Sequence, residues 1–166
     1  VDIRRYGSGN VGASNVGRHV GWKAYVLVAA FDGLVKGSAS VAIAKALGLS
    51  LEYQAIAALL ATKGHNWSIF LRLSGGRGLS VIGGSLLVLA WQTLGTLLGV
   101  TLMVWLVFRS TALWLGVTLL LLPLWAVLFK EPTTIVWYCV GALVVGALKR
   151  LLSNPGTAIP GRRWRD

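Results

Sequence analysis

Residues 79–108 read LSVIGGSLLVLAWQTLGTLLGVTLMVWLVF, thirty positions without one ionisable side chain. A second uncharged run covers residues 110–129. Runs of about 18 or more are membrane-span candidates, because about 20 helical residues at 1.5 Å each cross the hydrocarbon core. Thirty residues exceed the usual span of about 17–25. The stretch therefore predicts two short helices, broken near Trp91-Gln92-Thr93, rather than one tilted helix.

Composition agrees. The chain has 166 residues, 55% of them hydrophobic and only 13% charged, and its mean hydropathy is +0.71. Soluble domains run to about 45–50% apolar and about 25% charged, so polar surface is too scarce to cover a soluble core. The reading is all-α: a polytopic membrane helical bundle of about six spans, one domain over residues 1–166. Sixteen Lys and Arg against five Asp and Glu give a net charge of +11. Such a balance can mark a nucleic-acid binder, but the uncharged runs argue against that partner. Cys139 is the single cysteine, so neither an intramolecular disulfide nor a metal cluster is expected.

Working outward, charge and Gly/Pro punctuation give a polar head over residues 1–21, then spans near 22–47 and 51–71. A basic, glycine-rich loop covers 72–78. The split pair, 111–129 and 133–148 complete the six, and a basic tail runs from 149 to 166. With the head in the cytoplasm, twelve of the sixteen basic residues fall on the cytoplasmic side, as the positive-inside bias requires. A single span over 79–108 would put the basic tail outside. Trp22, Trp91 and Trp137 lie near span ends and suit an interfacial belt. Trp105, Trp114 and Trp125 sit deeper and read as packing residues. The chain opens at Val1, directly in a polar stretch, which suggests that a longer protein begins before it.

Three polar clusters interrupt the apolar pattern. The first is Gly7-Ser8-Gly9-Asn10-Val11-Gly12-Ala13-Ser14-Asn15-Val16-Gly17-Arg18. Small residues let backbone N–H groups approach an anion, and Arg18 adds a fixed charge. It matches neither a Walker loop nor a dinucleotide fingerprint, and a flexible Gly/Ser linker is the plain alternative. The second is Lys63-Gly64-His65 with Arg72-Leu73-Ser74-Gly75-Gly76-Arg77-Gly78, a tight turn that would suit a phosphate. Arginines that merely set topology are its alternative. The third is Asp32 and Lys36, four apart on one helix face, acid before base. Ionisable groups at membrane depth face a cavity or each other, and structural support is the favoured reading of this pair. Gly33 with Gly37, and Gly95 with Gly99, form small-xxx-small pairs suited to helix packing.

In this order the clusters resemble the bacterial acyl-phosphate:glycerol-3-phosphate acyltransferase family. Its Gly-Ser-Gly-Asn…Gly-Ala-Thr-Asn motif is matched by residues 7–15. Asp…Lys-Gly is matched by Asp32, Lys36 and Gly37, and Gly-His…Gly-Gly-Lys-Gly by Gly64, His65 and residues 75–78. The family has seven spans, which implies that one precedes this chain, with motif loops on the cytoplasmic face of a bacterial cell membrane. The resemblance implies transfer of a fatty acyl group from acyl phosphate to the 1-hydroxyl of glycerol 3-phosphate. Lysophosphatidic acid and phosphate are the products, and no metal or other cofactor is needed. It places Ser8 and Asn10 at the reacting centre and gives Asn15, Arg18 and Lys36 to glycerol 3-phosphate. Gly75, Gly76, Arg77 and Gly78 fall to acyl phosphate, with His65 counted among the substrate-binding residues. Membrane lipids are the other implied partners; oligomeric state is not legible.

The chain departs from the pattern at four places. Ser14 replaces threonine, Arg77 replaces lysine, and Ser68 stands at a usual proline. The fourth is larger. The family's C-terminal His-Arg-x-Asn-Ile-x-Arg-Leu, laid on Lys149-Arg150-Leu151-Leu152, puts Val144 at its histidine and Ala147 at its asparagine. General-base help is typically worth ~10²–10⁴-fold in rate, and His19 and His65 are the remaining candidates to supply it. A non-catalytic relative that binds lipid phosphates or a partner enzyme through the retained loops is the alternative reading. A small transporter is a third class, for which no inverted repeat is seen.

Overall fold

Ala90 decides how the long apolar run folds. Its backbone leaves the helical region, with φ −159° and ψ 75°, so the run becomes two helices with the break one residue before the expected one. The protein is seen here as a computed structural model that describes residues 2–108 and 111–152. Its helices are α1 Ala13–His19, α2 Trp22–Ala46, α3 Leu51–Asn66, α4 Leu79–Leu89, α5 Trp91–Phe108, α6 Thr111–Leu128 and α7 Thr133–Leu152. Short 3₁₀ turns at Ile3–Arg5 and Ile69–Leu71 complete the regular structure among the described residues. The all-α reading holds.

Polar contacts orient the bundle. Thr93 Oγ1 donates to Glu131 Oε1 at 3.4 Å, which places the start of α5 beside the α6–α7 turn. Thr134 Oγ1 donates to Glu52 Oε1 at 3.2 Å, so the start of α3 meets the start of α7. Arg77 and Arg150 share a cavity, although α4, α5, α6 and nearly all of α7 separate them in sequence. That requires an even number of crossings, which one helix over 79–108 would not give. Only α2 and α7 are both long and apolar enough to span by themselves among the described residues. Eleven-residue α4 measures ~16 Å at 1.5 Å per residue, about half of a ~30 Å hydrocarbon core.

Short as it is, α4 is the hub, packing against α2, α3, α5 and α7. Its Val81, Ile82 and Leu86 are buried with Val41, Ala58, Leu122, Ile135 and Tyr138. The outward face is apolar instead of charged: Leu27 is 71% exposed, Met103 67% and Trp137 68%. A lipid environment covers such a surface at no cost, whereas water would not. Trp22 and Trp91 are likewise exposed near helix ends, as an interfacial belt requires. Trp125 is half-buried against Phe129, ring centroids 6.5 Å apart; the side chains of Trp105 and Trp114 lie outside the described residues.

Helix α2 contains a π-helical segment, Phe31–Ser38, closed by the Ala39 N–H donating to the Leu34 carbonyl. One extra residue per turn turns both Gly33 and Gly37 onto α4. A Cβ on Gly37 would lie 2.2 Å from Val81 O, and one on Gly84 only 1.8 Å from Gly33 O. The two backbones therefore touch, and the packing role expected for Gly33 and Gly37 is realised. Gly95 and Gly99 are a correction: a Cβ on either meets nothing within 4 Å among the described residues.

Boundaries shift at three other places. The span expected over 51–71 stops at Asn66, where Trp67 (φ −122°, ψ 60°) breaks the helix, because the next residues must fold back onto its end. The last span, expected to stop at 148, continues to Leu152. A third of the polar head is α-helical, since α1 occupies Ala13–His19. The tail from 153 onward, with its Pro and Gly residues, lies outside the described residues.

Candidate functional site

The head folds around one buried amide. Asn15, 4% exposed, donates through Nδ2 to Tyr6 O at 2.9 Å and Ile3 O at 3.3 Å. Its Oδ1 accepts from the Ser8 N–H at 3.2 Å. Gly7 (φ +55°) lies against this amide: a Cβ there would be 2.5 Å from Asn15 Oδ1 and 2.1 Å from His19 Nε2. Asn10 Oδ1 accepts from the Gly12 N–H at 3.2 Å and thereby shapes the entry to α1. The glycine-rich head is thus an ordered loop with Ser8 and Asn10 presented on it.

The second loop closes on the end of α3. Cβ atoms on Gly75, Gly76 and Gly78 would lie 1.9 Å from His65 O, 2.1 Å from His65 Nε2 and 2.6 Å from Asn66 Oδ1, respectively. Glycine is needed here because the loop backbone lies directly on that helix end. From α7, Lys149 Nζ donates to Leu73 O at 3.4 Å and sits 5.6 Å from the Trp67 ring centroid. The C-terminal helix therefore helps hold the loop.

Between these elements lies a cavity of about 290 Å³. Ser8, Asn10, Asn15, Arg18, His65, Arg77 and Gly78 line it, so most of the residues singled out from sequence converge. Gly75 and Gly76 are buried behind His65. Tyr25, Asp32, Ser80 and Arg150 are among the other residues of the wall. Arg150 escaped the sequence reading because it sits in a basic pair that also serves topology. Three guanidiniums thus surround one small volume. Burial first, then the charges of Arg150 and Arg18, push the Arg77 pKa down. Arg77 Nε is buried with no hydrogen-bond partner among the described residues. Such a site favours an anion.

A second cavity of about 800 Å³ adjoins the first, lined by Leu27, Val28, Phe31, Ala61, Phe70 and Leu71 together with Lys36. Lys36 therefore stands on this apolar groove, its Nζ 5.3 Å from the Phe31 ring centroid. It bonds to Asp32 Oδ1 at 2.6 Å, and His65 Nδ1 lies 3.5 Å from the same oxygen. The acid–base pair read from sequence is a three-member cluster joining α2 to α3. His19 belongs to the head, its ring 6.3 Å from that of Tyr6. Val144 and Ala147 are on the exposed face of α7. Neither is among the residues that line the two cavities described here.

Comparison with known proteins identifies the family and the fold. The family model for glycerol-3-phosphate acyltransferase matches residues 1–154. A glycerol-3-phosphate acyltransferase of Dehalococcoides mccartyi is 38% identical over 161 residues, 92% of this chain and 67% of its own. One from Deinococcus radiodurans is 37% identical over 93% of this chain and 66% of its own. One from Thermus thermophilus is 49% identical over a shorter stretch, 54% of this chain and 44% of its own. The chain thus spans about two thirds or less of these relatives' length. In fold it is similar to the integral membrane acyltransferase PlsY. The crystal structure of the glycerol 3-phosphate form superposes with a TM-score of 0.83 at 24% identity, over 91% of this chain and 76% of that one. Matched across nearly its whole length by the family model, the chain belongs to the glycerol-3-phosphate acyltransferase family.

Proposed function

We propose that this protein transfers a fatty acyl group from acyl phosphate to the 1-hydroxyl of glycerol 3-phosphate, giving lysophosphatidic acid and phosphate. The observation that carries the reading is the junction of two unlike cavities. One is small and ringed by Arg18, Arg77 and Arg150; the other is apolar and runs alongside it between α2 and α3. Both substrates are phosphate anions and one bears a long chain, which is the combination these cavities accommodate. Acyl phosphate is already an activated mixed anhydride. The protein's main tasks are to hold two anions in register and to stabilise developing charge. Ser8 and Asn10 face the reacting groups, Arg18 and Arg77 bind phosphate, and Asn15 fixes Ser8. The site opens on the cytoplasmic side of a bacterial cell membrane, in keeping with the bias of basic residues to that side.

The test uses the full-length protein purified in detergent with acyl phosphate and glycerol 3-phosphate, following lysophosphatidate and phosphate release. Turnover is expected, with loss in Ser8→Ala and Arg18→Ala. No turnover, together with Arg77-dependent binding of acyl phosphate, would replace this reading by a non-catalytic phosphate binder.

A further inference from the structure

Asn66 closes α3 under the 72–78 loop and is 0% exposed. Neither its Nδ2 nor its Oδ1 has a hydrogen-bond partner among the described residues. With no accessible surface it also has no water-sized space beside it. A buried amide left unpaired costs more than an ordinary bond returns, so this arrangement holds free energy that another can release. Gly78 lies directly on the amide: a Cβ there would be 2.6 Å from Oδ1 and 3.4 Å from Cγ of Asn66. The same glycine, at φ +77°, is the N-cap of α4 and offers no side chain to its first turn. From Gly75 to Val81 no backbone N–H donates to any described group; the series starts with Ile82 N–H to Gly78 O at 2.8 Å. Arg77, Gly78, Leu79 and Ser80 in that stretch line the arginine-rich cavity. The Arg77–Gly78 peptide therefore stands between an unpaired amide and the start of a helix whose donors are uncommitted.

A planar trans peptide points its N–H and C=O in opposite directions, and glycine tolerates either setting of its own φ. We propose that Asn66 is a positioning residue which engages when a phosphate group enters the cavity. The Arg77–Gly78 peptide rotates and the Arg77 carbonyl accepts from Asn66 Nδ2. The Gly78 N–H then joins those of Leu79 and Ser80 on a phosphate oxygen, where the helix dipole also favours negative charge. Binding thus relieves the buried amide, and part of the anion's affinity comes from Asn66 rather than from the arginines. The inference rests on the phosphate-binding part of the function proposed above. Asn66 itself touches no substrate and takes no part in the bond changes.

Two measurements on the full-length protein in detergent test the assignment. The first uses Asn66→Leu, which keeps the size of the amide and removes its polar atoms. Without ligand it is expected to melt at or above the parental temperature. It should bind inorganic phosphate about tenfold more weakly, the worth of one buried hydrogen bond. KM for the phosphate substrates should rise by about as much, with kcat within about threefold of the parent. A lower melting temperature without ligand, or an unchanged phosphate affinity, overturns the role. The second needs no variant. The side-chain amide protons of Asn66 in wild-type protein, identified through the one His-Asn pair in the chain, should move downfield when inorganic phosphate is added. Phosphate binding that leaves them in place overturns the rotation. Wild-type protein that binds phosphate but transfers no acyl group refutes the proposed function and leaves this inference standing, whereas wild-type protein that binds no phosphate refutes both.

Discussion

The contact between α2 and α4 invites a one-methyl perturbation, Gly84→Ala. The added carbon would lie 1.8 Å from Gly33 O and 2.5 Å from Gly33 C. Both atoms are backbone, so no side chain can rotate away. Apolar contact is comfortable only from about 3.5 Å, and the helices must therefore part by roughly 1.5 Å. Overpacking of this kind costs typically ~1–3 kcal/mol. Separation also breaks the bond from Ser38 Oγ to Gly84 O, 2.7 Å long, worth about 1 kcal/mol net. Replacing a helical glycine returns ~0.5–1 kcal/mol, leaving a net loss of about 2 kcal/mol. Asp32 adjoins Gly33, so the Asp32–Lys36–His65 cluster shifts with α2. A misplacement of about 1 Å can cost ~10²-fold in rate. Thermal unfolding in detergent and turnover at saturating substrate would be measured beside Gly95→Ala, whose methyl meets nothing within 4 Å among the described residues. The control should match or slightly exceed the parent in stability. Parental melting and turnover in Gly84→Ala would refute the claim that backbone contact positions the site.

Further predictions address the site and its supports. Asn15→Ala removes all three bonds that organise the head; a loss of ~1–3 kcal/mol is expected, read as faster proteolysis within residues 2–12, and an unchanged cleavage rate would contradict it. Arg150→Ala should weaken binding of both phosphate substrates and flatten the salt dependence of KM, while an unaltered salt profile would remove Arg150 from the anion site. Lys149→Met loses the bond to Leu73 O and should speed hydrogen exchange in residues 72–78, with no change counting against the staple. Asp2 is held down to about 2 by the Arg4 side chain and then its backbone N–H. Its folded pKa being below the unfolded one, the pair contributes above pH ~4 and is lost as pH falls through about 2; a carboxyl NMR midpoint at the ordinary value would refute the contact.

The membrane character and the split of the long run were legible in the residues, because both are set by transfer of side chains between water and lipid, which is local and additive along the chain. Thirty uncharged residues are too many for one span, and the run breaks once, at Ala90. The glycine-rich clusters were also legible, since tight backbone approach leaves a compositional trace. What each glycine approaches was not. Gly75, Gly76 and Gly78 read as a phosphate cradle, yet all three lie against the end of α3. Gly33 and Gly95 looked alike in sequence, yet among the described residues a Cβ meets a neighbour only at the first.

Tertiary structure decided the rest. Arg150 stands 73 positions after Arg77 in the chain and joins the same cavity because it lies at the far end of α7, the fourth helix after Arg77. Nothing local to Arg150 encodes that. The π-helical segment of α2 turns Asp32 inward and brings Lys36 to His65, a consequence of how α2 lies on α4. Composition and patterning alone establish a membrane helical bundle with glycine-rich polar loops, because partitioning and backbone freedom act residue by residue. Only the packing of the bundle decided which charges converge and which histidine stands between the two cavities, because distance in space is not a function of distance along the chain.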